Sequence, residues 1–361
     1  MLQDLGLTVL RSIPEDALLG LATKAFSLHG GVVRDGAGRI VAHLAMPTTS
    51  AALSSVPGVG LLGDLANAYQ LQEISRDIQT VLNLSMVNTA LSGLTLATSI
   101  VGFAYLAAKM KQVNAKLDAL AKQSKEIKDF LQAGNDAKLR AAIDDFRHST
   151  QAPDAETRRH LLLKAKGSFT ELAHHSTAQL YTLTEVAAVE ATEDFFILAS
   201  IGGVLCTSDL GMHAAARDDL MRYRQEWLAV GRLHCNRLLQ LDEPGRLLDA
   251  RYVEALPAHT LVGILDFAKA TDKGIVWIDD LRRSTGTTTM FTSALRQLDR
   301  PTIEFAKKLH ARSDVLDSYV AHYAFLAEKQ VSATHFALTL EDTRLRDSSA
   351  MIWVTPAKAA G

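Results

Sequence analysis

Cysteine is scarce in this chain: Cys206 and Cys235 are the whole complement, so no disulfide framework staples the fold and no zinc-binding spacing exists. A reducing compartment follows as the simpler expectation. Proline is scarce too, 8 in 361 residues, which leaves no proline-rich linker. Neither sign of charge is in excess. The 38 basic and 40 acidic residues give a formal net charge of −2, so any electrostatic function has to be local. Mean hydropathy close to zero argues against a polytopic membrane protein. The 48% apolar and 22% charged content excludes wholesale disorder. The first residues carry Asp4, Glu15 and Asp16 and no basic run before an apolar one, unlike a secretory signal peptide.

Signatures of chemistry are missing as well. There is no G-x-x-x-x-G-K-[ST] loop, no H-E-x-x-H helix and no G-x-S-x-G turn. Gly36/Gly38 and Gly58/Gly60 fall in a turn and a connector, not behind a strand that would open a dinucleotide site. His174 and His175 are neighbours on an expected helix and point about 100° apart, a poor arrangement for one metal ion. Cys235 beside His234 fails as a thiol–base pair for the same reason. Asp279-Asp280 with Arg282-Arg283 reads as a helix end with local ion pairs. Arg217, Arg222 and Arg224 are balanced by Asp218, Asp219 and Glu226, a solvated face and not a nucleic-acid stripe. The expectation is a protein that is not an enzyme, with no cofactor, no metal, no nucleic-acid partner and no small-molecule substrate.

What is present is helical periodicity, with one strand-like interruption. Residues 5–27 read as one or two short helices, with a start at Pro14-Glu15-Asp16. From His29 to Leu44 the period changes to two β-prone runs around Asp35-Gly36, a β-hairpin that needs something to lean on. Packing against the protein's own helices is favoured over an exposed docking strand. Residues 45–63, rich in small residues, Ser, Pro and Gly, form a connector. Helical pattern then resumes from Asp64 to about Leu131. Further helices are expected over about 136–148, 154–206, 209–241, 246–270 and 301–331, with breaks near Asp242–Gly245, Pro257 and Ser284–Thr289, Asp154 as an N-cap and a tail after 334 without assignable pattern. The expected fold is mainly all-α: an elongated helical bundle with long coiled-coil-like helices and a small N-terminal hairpin. Its expected divisions are 1–63, 64–148 and 149–361.

Two patterns mark the helix over 64–131. Ile78–Ala108 holds no charged side chain, longer than the roughly 20 residues a spanning helix needs. It is only moderately apolar, because Asn83, Asn88, Ser92, Thr95 and Ser99 interrupt it. Ala90, Gly93, Ala97, Ile100, Ala104 and Ala107 recur at alternating spacings of three and four, a mostly small stripe that admits a close helix neighbour. Beyond it, Leu106, Met110, Val113, Leu117, Leu120, Ile127 and Leu131 continue as a heptad seam, with Ser124 at its one polar position. Lys109, Lys111, Lys116 and Lys122 flank this seam, followed by Lys125 and Lys128. The opposite flank, 58–77, has Arg76 alone, so a spanning helix would place its C-terminal side in the cytoplasm. Two readings stay open: a helix buried in protein, or one that enters lipid, with its lysines as a lipid-facing flank. A second apolar run, Phe195–Cys206, is too short to span and reads as a buried helix.

A long helix with an uncharged segment, then a coiled-coil helix and a helical bundle, resembles the α-helical pore-forming cytolysins in architecture over about residues 64–240. Residues 29–44 and 78–131 are similar to bacterial proteins that join a GGVVRDGAGRIVAHL-type hairpin to a Gly/Ala/Ser-rich membrane-like helix. The first resemblance implies a form that conceals its apolar segment and exposes it on assembly. Function is therefore expected to be membrane-active or membrane-associated, as in a pore-forming toxin or a bacterial defence effector. The alternative is a coiled-coil scaffold that binds partner proteins. Expected partners are a lipid membrane, further copies of the chain or another protein through the coiled coil. The expected place is the cytoplasm, peripheral to or inserted in the bacterial inner membrane.

Overall fold

The computed structural model describes residues 134–242, 244–285, 298 and 300–336, the strand residues 7–10, 25–29, 32–35, 40–45 and 352–356, and Leu19, Gly20 and Thr23. The fold is mainly all-α. Seven helices are described: α1 (Asn135–Thr150), α2 (Ala155–Leu180), α3 (Val186–Asp209), α4 (His213–Leu239), α5 (Ala258–Lys269), α6 (Val276–Thr285) and α7 (Arg300–Lys329). Two 3-10 turns, Pro244–Leu248 and Ala250–Tyr252, link α4 to α5.

Helix boundaries follow local chemistry. Asp154 caps α2 as expected, its carboxylate accepting from the Thr157 amide at 2.7 Å and from the Thr157 hydroxyl at 2.7 Å. The run over 154–206 is not one helix. It breaks at Tyr181–Glu185, and the His234 Nε2 donates to the Leu180 carbonyl at 2.6 Å, taking up an acceptor that the end of α2 leaves open. Gly211, at φ 79°, reverses the chain between α3 and α4 in a conformation that a Cβ would strain. Over 246–270 the chain breaks at Pro257, where a break was expected: 3-10 turns precede it and α5 starts at Ala258.

The bundle is built around α3. From Ala188 to its end α3 is buried almost all round, including the whole Phe195–Cys206 run. Such a helix has no polar face to offer water and has to be surrounded. α2 packs along one side and α4 along another, α1 lies outside α2, and α7 packs on α4. The buried residues of α2 (Leu162, Ala165, Phe169, Leu172, Ser176) and of α4 (Leu220, Tyr223, Trp227, Val230, His234) repeat at threes and fours, the stripe of an antiparallel bundle. At Gly202 the α2–α3 approach is closest: a Cβ there would meet the Phe169 ring at 2.7 Å.

The strands form one antiparallel sheet, in the order β1 (Leu7–Leu10), β5 (Ile352–Pro356), β4 (Ile40–Ala45), β3 (Val32–Asp35), β2 (Phe26–His29). β3 and β4 are the expected hairpin about Asp35-Gly36, and they lean on α7 as favoured. Two readings need correction. Leu7–Leu10 and Phe26–His29 are strands, where helix was expected over 5–27. The tail is not wholly irregular either: β5 is an interior strand between β1 and β4, with Val354 opposite both Val9 and His43. For β1 and β5 the cause is shared: each pairs with a strand from the other end of the chain, and local periodicity carries no information about so distant a partner, whereas β2 pairs with its sequence neighbour β3.

Candidate functional site

The stripe Ala90, Gly93, Ala97, Ile100, Ala104 and Ala107 lies outside the described residues, as do the seam from Leu106 to Leu131 and the flank Lys109, Lys111, Lys116 and Lys122. Among the described residues no helix is long and apolar enough to cross a membrane.

The side chains set aside on sequence grounds have separate, structural partners. His175 meets the Asn135 side chain at 3.1 Å, while His174 lies beside Arg222 and Tyr223. Cys206 and Cys235 are both buried and unbridged. Burial pushes the Cys206 thiol well above its ordinary range and the Cys235 thiol up to about 12, so neither carries thiolate near neutral pH. Burial also lowers His234, against the opposing pull of its Leu180 hydrogen bond. Arg282 and Arg283 pair with Asp279 and Asp280 one turn back on α6. Arg222 pairs with Asp219 and Glu226 within α4, but Arg224 reaches across to Asp317 on α7. Among the described residues no group of three His, Cys, Asp or Glu side chains is placed to hold a metal ion.

The strongest polar constellation lies inside the bundle. Glu193 on α3 and Arg312 on α7 are each 1% exposed, and Lys308, one turn before Arg312, is 6% exposed. Arg312 grips Glu193 with two bonds, Nε to Oε1 at 2.7 Å and Nη2 to Oε2 at 3.1 Å, and Nη2 also reaches Asp194 at 3.0 Å. Lys308 Nζ donates to Asp194 at 2.8 Å and to Glu190 at 3.5 Å. Trp227 on α4 completes the set, its indole N–H donating to Glu193 at 3.3 Å. The network thus ties α3, α4 and α7. Burial alone would pull Lys308 down, but Asp194 and Glu193 outweigh it and hold the ammonium above its ordinary value.

Chemically this is a clamp. The carboxylates accept from Arg312, Lys308 and Trp227 at hydrogen-bonding distance, which commits the lone pairs a general base would need. One side alone would be a costly buried charge, whereas the bidentate geometry offsets much of that cost.

Sequence reasoning missed this network although a signal existed. Phe305, Lys308, Arg312, Val315, Tyr319, His322 and Leu326 fall on one buried stripe of α7, and two of those core positions are cationic. On the other helix, Glu193-Asp194 comes directly before Phe195-Phe196 in a segment buried all round. A charge on an apolar stripe predicts an opposite charge on the facing helix.

A second polar cage organises the turn between α5 and α6. Asp266 accepts from the Thr271 hydroxyl, the Lys273 and Gly274 amides and the Trp277 indole, all at 2.8–2.9 Å. Burial would raise its pKa, but the hydrogen bonds outweigh burial and leave it below the ordinary aspartate value. At the end of α3, Asp209 is held above its ordinary value by burial, despite the Thr334 hydroxyl at 2.7 Å and nearby Arg158. Both cages fix a chain reversal to the bundle.

No protein-family model matches this chain, and no curated protein or solved structure matches it.

Proposed function

We propose that this is a non-enzymatic, membrane-active or membrane-associated helical protein of the pore-forming toxin or bacterial defence-effector kind. In this reading the segment Ile78–Ala108 packs against protein in one state and enters lipid in another. The observation that carries it is in the chain itself: an uncharged segment longer than a bilayer core requires runs into lysine-bearing heptads without a helix breaker. Its small stripe, Ala90, Gly93, Ala97, Ala104 and Ala107, suits close packing in either setting. The heptad seam beyond it would align copies of the chain. The bundle supports the reading as a rigid base, clamped internally between α3 and α7.

Liposome flotation of the full chain, with and without Ala97→Lys, tests it. Wild type is expected to co-float with vesicles containing anionic lipid, and Ala97→Lys to stay in the soluble fraction with its helical circular dichroism unchanged. Absence of wild-type flotation at every lipid charge would sink the membrane reading and favour a coiled-coil scaffold.

A further inference from the structure

The sheet meets the bundle through a contact unlike the clamp inside it. β2, β3 and β4 pack on α7, and Val33 is fully buried there. The next residue, Arg34, is half-buried, with its guanidinium in the fields of Asp317 and Asp314 on α7 and of Arg224 on α4. Asp317 already serves Arg224, whose Nε donates to Oδ1. Arg34 Nε and Nη2 are buried without a hydrogen-bond partner among the described residues. A cationic N–H taken out of water without an acceptor carries a desolvation cost that exists only while the sheet is seated. The register between β3 and β4 also shifts between Val33 and Arg34, so the ladder is irregular at this very residue.

We propose that this seam is a built-in release point, at which the five-stranded sheet lifts off α7 as a unit while the helical bundle stays folded. Two observations make the sheet separable. Among the described residues the buried apolar cluster spans α1 to α7 and does not take in Val33, the buried strand side chain, and the Glu193–Arg312–Lys308 clamp holds α3, α4 and α7 with no contribution from Arg34. The sheet also joins strands from both sides of the bundle in sequence, β1 to β4 before it and β5 after it, through one continuous set of paired strands, so they move together. β4 ends at Ala45, directly ahead of the connector and the uncharged segment. Resting on the membrane reading above, the seam regulates how readily the chain beyond Ala45 reaches lipid.

Hydrogen exchange on the full chain, read separately for β2–β4 and for α3 and α4, tests the release. Arg34→Met keeps the length of the side chain and sheds the uncompensated cation, so exchange in β2–β4 slows roughly fivefold or more with α3 and α4 unchanged. Asp317→Asn keeps an acceptor for Arg224 but removes the charge that faces Arg34. It speeds exchange in β2–β4 by a similar factor. Faster sheet exchange in Arg34→Met would make Arg34 an ordinary stabilising partner and overturn the proposal. So would equal shifts in sheet and bundle, the behaviour of one cooperative unit. Flotation of the same proteins separates the two readings. Asp317→Asn is expected to float more than wild type and Arg34→Met less, whereas equal flotation with altered exchange removes the regulatory consequence. A wild type that never floats defeats the membrane reading and leaves the exchange result standing.

Discussion

Two charged centres sit on opposite sides of α7, and they are built to opposite specifications. Inside the bundle, Arg312 and Lys308 meet Glu193, Asp194 and Glu190 with short, bidentate and shared bonds, and Trp227 supplies a further donor. At the sheet seam, Arg34 faces two aspartates, one of them already engaged by Arg224, and two of its donors go without an acceptor among the described residues. The first centre has offset its desolvation, the second has not. Buried charge by itself therefore says little about stability here; the number of satisfied donors decides it.

The sharpest way to break the comparison is to remove one partner of the inner clamp. Arg312→Met leaves the buried Glu193 without its bidentate partner, with only Lys308 Nζ at 3.5 Å, and is expected to cost about 3–5 kcal/mol in urea unfolding. The double variant Glu193→Met/Arg312→Met should recover at least half of that loss, because Lys308 and Asp194 remain paired. A double variant as unstable as the single one would show that packing, not charge, dominates the centre. Next in size is Gly202→Ala, which drives a methyl group into the buried Phe169 ring. A loss of about 1–3 kcal/mol is expected, read as a lowered thermal midpoint.

Protonation gives smaller effects of opposite sign at two sites. Lys308 is held above its ordinary value in the fold, so its contribution is complete below the usual lysine range and disappears as pH rises through the raised value. Urea midpoints followed from about pH 9 upward should fall more steeply in wild type than in Lys308→Met. Asp266 is held below its ordinary value, so its contribution is present above the usual aspartate range and is lost as pH falls through the lowered one. Protection factors of the Lys273 and Gly274 amides, corrected for the intrinsic slowing of exchange in acid, should fall as pH falls, and Asp266→Asn should remove that acid dependence. The smallest effect belongs to the outer centre. Arg34→Met should leave global unfolding of the bundle within about 0.5 kcal/mol of wild type while altering exchange in the sheet. A large change in global stability from it would merge the two centres into one.

How much of this was legible beforehand depended on the range of the interaction. The α3 run Phe195–Cys206 announced itself as buried because it offers no polar face, and Asp154 announced the start of α2 because a cap acts within three residues. The hairpin about Asp35-Gly36 was equally local. β1 and β5 were not legible, since each finds its partner across most of the chain. Lys308 and Arg312 were visible as misplaced cations on an apolar stripe, but choosing Glu193 as their partner requires knowing that α3 faces α7. The correspondence fails most clearly at 154–206, where uninterrupted helical pattern hid the reversal at Tyr181–Glu185. That reversal exists because α3 has to fold back on α2 to bury itself, a demand that no window of sequence states.

The sequence by itself determined the mainly helical character, the burial of the Phe195–Cys206 run, the pairing of β3 with β4 and the lack of a disulfide framework. It also determined the uncharged segment and lysine heptads on which the membrane proposal stands. Each of these is a matter of composition, period or capping within a few residues. Tertiary structure alone decided that the two outlying chain regions share one sheet, that the charges on α7 split into a satisfied clamp and an unsatisfied seam, and that the sheet rests on the second. Those outcomes depend on which donors and acceptors end up within about 3 Å of one another, and hydrogen-bond satisfaction is a property of the packed neighbours.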